Sequence, residues 1–225
     1  SGSTQSIGRM SEQPGYNDKR TVLNKASLIE PIIRHRIQDS TFYKQYLYLT
    51  NELTILPIIT NHVKYIGGTD SIGRPLEFLC CLLRLLELDP PKEINSIYLN
   101  QYGYNEFKYL TGLILFYIRL SYSSQEIYTV FDEYLKDYRK LRFKLKTPKF
   151  LDNGLSINFA IIHMDEWVDQ LLTNERCIDL ILPRLINRSL LVDRDLIDPR
   201  HYPVTKHPND SPSDATSSDY QSDSD

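Results

Sequence analysis

The chain has 225 residues, 41% hydrophobic and 24% charged, enough for one sizeable domain or two small ones. Its net charge is −3, but residues 207–225 hold five Asp and no Lys or Arg, which leaves 26 basic against 24 acidic groups in residues 1–206. A near-neutral body argues against a nucleic-acid coat protein.

SGSTQSIGR, ahead of Met10, reads as a cloning scar, and residues 1–21 together form a flexible lead-in. In SLIEPIIRHRIQDS the apolar positions Leu28, Ile32, Ile33 and Ile37 recur at helical spacing, with Ser27 as a cap and Pro31 in the first turn. A second helix is predicted from Thr50 or Asn51, bent at Pro57. GGTDSIGRP breaks the pattern; Pro75 then suits the first turn of a helix with Leu76, Leu79, Leu82, Leu83 and Leu86 on one face, stopped by Asp89-Pro90-Pro91. Residues 92–100 give a shorter helix, and Glu106 to Tyr122 a strong one. Ser123-x-x-Glu126 is a capping box opening a helix with Ile127, Phe131, Tyr134, Leu135 and Tyr138 on one face. Asn153-Gly154 between extended apolar segments signals a type I′ hairpin turn, whose upstream arm RKLRFKLK alternates basic with apolar. Residues 177–200 are predicted helical with a break near Pro183, and residues 207–225 disordered. The expectation is an all-α single domain over residues 22–206 with one small β-hairpin.

The three cysteines, Cys80, Cys81 and Cys177, are odd in number and lack CxxC spacing, which reads as buried, reduced thiols. The apolar runs around Leu82 and Leu115 are short and charge-bearing, so no membrane span is expected.

IIHMDEWVDQLL gathers His163, Asp165, Glu166 and Asp169, residue types that build metal and acid–base sites. Read as a helix start, each has a simpler role. Asp165 is the N-cap, Glu166 and Asp169 offset the helix dipole, and Trp167 joins Val168, Leu171 and Leu172 in the core. A zinc site needs ligands at spacings such as HExxH, and His35, His62, His201 and His207 offer none to His163. Gly67, Gly68 and Gly73 lack the Lys-Ser/Thr and strand context of phosphate loops, so this is a flexible connection with Gly67-Gly68-Thr69 as a contact loop. No catalytic residue, metal or cofactor is expected.

Arg139, Lys140, Arg142, Lys144, Lys146 and Lys149 place six cations in eleven residues, with Tyr138 and Phe143 interleaved. Such a strip suits an acidic peptide or a phosphate backbone, and equally a solvated helix end. Most of the sixteen tyrosines, among them Tyr109, Tyr117, Tyr128, Tyr134 and Tyr138, read as core-edge residues. Ser211 and Ser222 each have Asp three positions on, the pattern of acid-directed phosphorylation.

FKYLTGLILFYIRL, DYRKLR and HMDEWVDQLLTNERCIDLILPRLINR, in this order, resemble the pre-mRNA-splicing factor 38 family, supported by IIRHRIQDSTFYK, the YIGG loop and PLEFLCCLLRLLELDP. The resemblance spans roughly residues 22–200. It implies a nuclear, non-enzymatic spliceosome protein of the U4/U6·U5 tri-snRNP or the precatalytic B complex, needed for activation. It further implies docking of a zinc-finger splicing protein, a microfibrillar-associated-protein-like factor and tri-snRNP proteins by a chain that is otherwise a monomer. Animal and plant members end in long Arg/Ser-rich stretches; the short Asp/Ser tail here looks like that of a fungal member. The contact candidates are Arg139, Lys140, Arg142, Lys144 and Lys146 for acidic segments or snRNA phosphate, then Gly67, Gly68, Thr69, Arg34 and Arg36. Arg184 and Arg188 match the family pattern, with ion pairing inside the domain as their other reading. Direct RNA binding through the basic strip is the rival reading of function.

Overall fold

The two most apolar runs of the sequence are the two central helices of a computed structural model that describes residues 24–199. Helix α3, Glu77–Leu88, buries eight side chains from Phe78 to Leu86, and α5, Lys108–Ser121, buries every residue from Leu110 to Ser121. Helices with this much buried apolar surface must be packed on several sides, and the rest of the chain does this. Helices α1 (Pro31–Asp39), α2 (Ile55–His62) and α4 (Lys92–Asn100) pack on these two from the N-terminal half. Helices α6 (Ser124–Tyr134), α7 (Met164–Thr173) and α8 (Arg188–Asp193) follow in the C-terminal half. The fold is predominantly helical with a small antiparallel ribbon, β1 (Lys140–Phe150) with β2 (Ser156–His163), as expected. The lead-in 1–21 and the tail 207–225 lie outside the described residues.

Several boundaries differ from the sequence reading. Ser27 caps nothing: it sits in a 3-10 turn capped by Asn24, and Glu30 precedes α1 with Pro31 at its first position. The second helix is regular only from Ile55, because Pro57 has no N–H to give and a separate turn closes on the Asn51 side chain instead. Pro75 lies one residue ahead of the α3 cap, Leu76, while Asp89 ends α3 in the left-handed region at φ 48°. The Ser123–Glu126 capping box forms in full, but α6 stops at Tyr134 and the chain turns to strand at Lys140.

The hairpin tip is not type I′. Gly154 alone has positive φ, 82°, and the Gly154 N–H donates to the Leu151 carbonyl. This is a three-residue loop, a turn followed by a left-handed glycine. Residues 176–187 are not helical either. β3 (Arg176–Cys177) pairs with β4 (Leu180–Ile181) across a two-residue turn, Ile178 at φ 44° and Asp179 at φ 68°, and an extended stretch leads to α8. The type I′ geometry that Asn153-Gly154 was expected to supply occurs here.

Trp167 is fully buried at the junction of these parts. Its indole N–H donates to the Gly112 carbonyl of α5 at 3.0 Å. Its rings meet Phe78 of α3, Phe116 of α5 and Phe143 of β1 at centroid distances of 6.0, 5.7 and 6.3 Å. The ribbon is thus packed on the helical body by its apolar face.

Candidate docking surface

Strand alternation decides what β1 presents. Leu141 is fully buried and Phe143 packs on Trp167, so Lys140, Arg142, Lys144 and Lys146 point the other way. In the β1–β2 register Lys140 faces His163, Arg142 faces Ile161 and Lys144 faces Phe159, and directly opposed residues share a face. The guanidinium of Arg142 lies 4.1 Å and the ammonium of Lys144 4.7 Å from the centre of the Phe159 ring, so one aromatic positions two cations. Tyr65 packs against the same ring at 5.1 Å. Ile161, 58% exposed, adds an apolar spot between the charges.

Arg139 does not belong to this face. Its guanidinium is spent on the Asp137 carboxylate, the Asn105 carbonyl at 2.6 Å and the Thr111 hydroxyl at 3.2 Å. It ties the start of the ribbon to α5 and the loop before it. Lys146 is half committed, with its ammonium 2.8 Å from Asp179 Oδ1.

The Gly67-Gly68-Thr69 loop stands beside the ribbon. Ile66 forms a parallel bridge with Phe143: its N–H donates to the Arg142 carbonyl, and the Lys144 N–H donates to its carbonyl, both at 2.8 Å. The glycines are buried, not presented. A Cβ on Gly68 would fall 2.4 Å from the Ile178 carbonyl oxygen, and one on Gly67 would fall 2.7 Å from Leu76 Cδ1. Asp179 closes the contact, accepting from the Thr69 hydroxyl at 2.6 Å and the Thr69 N–H at 3.2 Å. Burial raises its carboxyl, but the bonds from Lys146 and Thr69 outweigh that and hold it below the ordinary carboxylate range. Loop, ribbon and β3–β4 turn are therefore one surface. Arg34 and Arg36 lie apart on α1, where Arg36 reaches the Gly73 turn and Arg34 is half-buried.

The His163 quartet separates into structural parts. Strand β2 runs through His163, so α7 begins at Met164 and His163, not Asp165, is its N-cap. Glu166 accepts from the His163 backbone N–H at 3.2 Å and lies 2.6 Å from its Nδ1. Asp165, in the first turn, donates its N–H to the Asp137 carbonyl, while its Oδ1 is buried with no hydrogen-bond partner among the described residues. Burial pushes its carboxyl up. Burial likewise pushes the Cys80 and Cys177 thiols up to about 12. Arg188 pins α8 to α6 through a two-pronged pair with Asp132, both at 2.8 Å, whereas Arg184 is exposed.

Sequence reasoning missed Phe159 and Asp179. Phe159 could not be paired with Lys144 from the sequence, because the turn at Asn153-Gly154 is not type I′ and the register shifts between Lys144 and Lys149; Asp179 sits in a turn without Gly or Asn. It also missed a groove of about 210 Å³ lined by Leu56, Ile97, Tyr98, Phe107 and Leu110. There Tyr102 and Tyr104 stand out, 85% and 76% exposed, whereas Tyr109, Tyr117, Tyr128, Tyr134 and Tyr138 are buried or half-buried as expected of core-edge residues.

Comparison with known proteins gives this surface its context. Pre-mRNA-splicing factor 38 of Schizosaccharomyces pombe is 37% identical over 76% of this chain and 75% of its own length. The Drosophila melanogaster protein of that name is 35% identical over 79% of this chain, which spans half of its length. The crystal structure of the Snu23-Prp38-MFAP1(217-258) complex of Chaetomium thermophilum contains a chain that matches with a TM-score of 0.73 and 36% identity, over 88% of this chain and 95% of that one. The PRP38 family model matches residues 18–195. With the collinear segments, the helical body and the ribbon in agreement, the chain belongs to the PRP38 family.

Proposed function

We propose that this chain is a non-enzymatic docking component of the spliceosome, acting in the nucleus. On this reading it binds a zinc-finger protein and a microfibrillar-associated-protein-like partner, as the components of the solved complex suggest. It works with tri-snRNP proteins at the B-complex stage and supports spliceosome activation.

The observation that carries the reading is the outer face of the ribbon. Four cations and an exposed isoleucine stand on a strand surface that is rigidly backed by Trp167 and cross-braced at Ile66. A face of that kind accepts an extended acidic segment, with charge fixing orientation and Ile161 burying an apolar residue. Phe159 is already covered by two cations, which leaves it a poor platform for stacking a base. Binding is then mass action: several modest contacts favour one assembly state.

The test is recovery of the chain from nuclear extract across a salt series with nuclease present. Spliceosomal proteins retained after RNA is destroyed support docking. Recovery of RNA alone, falling steeply with salt, would favour an electrostatic RNA binder instead.

A further inference from the structure

The ribbon face has a chemical complement inside the same chain. The side chains of Lys140 and Lys149 have no hydrogen-bond or ion-pair partner among the described residues, and those of Arg142 and Lys144 have only the Phe159 ring. The nearby carboxylates are engaged elsewhere: Asp179 by Lys146 and Thr69, Glu166 by His163, Glu77 by the Tyr65 hydroxyl. Past Lys206 the sequence carries no Lys or Arg, but it carries Asp210, Asp214, Asp219, Asp223 and Asp225 and one aromatic, Tyr220. The tail thus offers charge opposite to that of the face, five carboxylates and one aromatic against unpaired cations and one exposed isoleucine.

Reach does not limit the contact. The described chain ends at Pro199. Asp210 is then within roughly 35 Å of extended chain and Asp223 within roughly 80 Å. A domain of this size has a radius of gyration of about 16 Å. Exposed ion pairs are weak one at a time, yet tethering raises the local concentration of the tail to about the millimolar range.

We propose that residues 208–225 dock on the outer face of the ribbon and must be displaced before an acidic partner segment binds there. The proposal rests on the reading of that face as a receptor for acidic protein segments. The tail thereby sets a threshold: partners that present more charge, or more copies of it, displace it, and weakly charged chains do not.

The three native cysteines are buried, so a nitroxide placed on the full-length chain through Ser222→Cys labels the tail alone. The expected result is loss of amide signal over residues 140–146 and 157–163. Signal returns at high salt, and also when Asp210, Asp214, Asp219, Asp223 and Asp225 are all changed to Asn. Unchanged signals, or losses confined to another face, overturn the proposal. In parallel, a short poly-glutamate peptide should bind the five-Asn chain about five- to tenfold more tightly than the parent at low salt, the gap closing as salt rises. Equal affinities overturn the tail contact and leave the receptor reading intact. Displacement of the label by a U-rich RNA strand but not by the peptide overturns the receptor reading while the tail contact stands.

Discussion

At the tip of the β1–β2 ribbon the single positive φ falls on Gly154, and a Cβ built there would meet nothing within 4 Å. At the β3–β4 turn both positive φ values fall on residues with side chains, Ile178 and Asp179, and the turn lies against the Gly68 backbone. The first hairpin satisfies local rules: alternation along β1, a glycine where the loop needs one, an open tip. The second violates them, since a β-branched residue at positive φ costs about 1–3 kcal/mol. It persists because Asp179 takes two bonds from Thr69 and one from Lys146. The difference teaches that the ribbon could specify itself, whereas the turn is made by the surface it completes.

The largest expected effect breaks the second hairpin. Gly68→Ala drives a Cβ into a backbone carbonyl, which has no flexible end to give way. A loss of about 2–4 kcal/mol is expected, as for overpacking with a backbone shift, read as a lower midpoint in urea. Asp179→Asn should cost about 1–2 kcal/mol, because it removes the charge-assisted bonds. Its pH dependence follows from the depressed carboxyl. That stabilisation is complete above the unfolded value, near 3.9, and is lost as pH falls through the lower folded value. The gap between parent and variant should therefore stay constant above about pH 5 and narrow below about pH 4. A gap that widens in acid would contradict the assignment.

Gly154→Ala sharpens the other side of the comparison. With free space around the tip, only the backbone penalty remains, about 1 kcal/mol, and chemical shifts should change only near the loop. Asp165→Asn is smaller still and opposite in sign. A buried carboxyl with a raised pKa destabilises the fold when ionised. The variant should therefore melt about 1–2 °C higher at pH 7 by calorimetry, with the gain shrinking toward pH 4.

Legibility in the sequence followed the same division. The faces of α3 and α5, the Ser123–Glu126 box and the ribbon could be read because each signal lies within one segment. Arg139 could not be told from Arg142 by composition: strand parity and the Asn105 carbonyl decide that one is structural and the other exposed. Asp165 lost the cap to His163 because α7 starts two residues earlier than an Asp165 cap requires, at Met164, directly where β2 ends. The β3–β4 turn was invisible, since its determinant, Gly68, is more than a hundred residues upstream. The family segments were legible as a collinear set, although no one of them shows which surface docks a partner.

Charge reversal on the ribbon, Lys140→Glu with Arg142→Glu, is expected to leave stability within about 0.5 kcal/mol, as for exposed surface positions. The most direct test of the account compares this double variant with the parent in nuclease-treated nuclear extract at moderate salt, quantifying the co-purified spliceosomal proteins. The account predicts that the folded variant loses them while the parent retains them. Equal recovery by both would contradict it and move the docking surface off the ribbon.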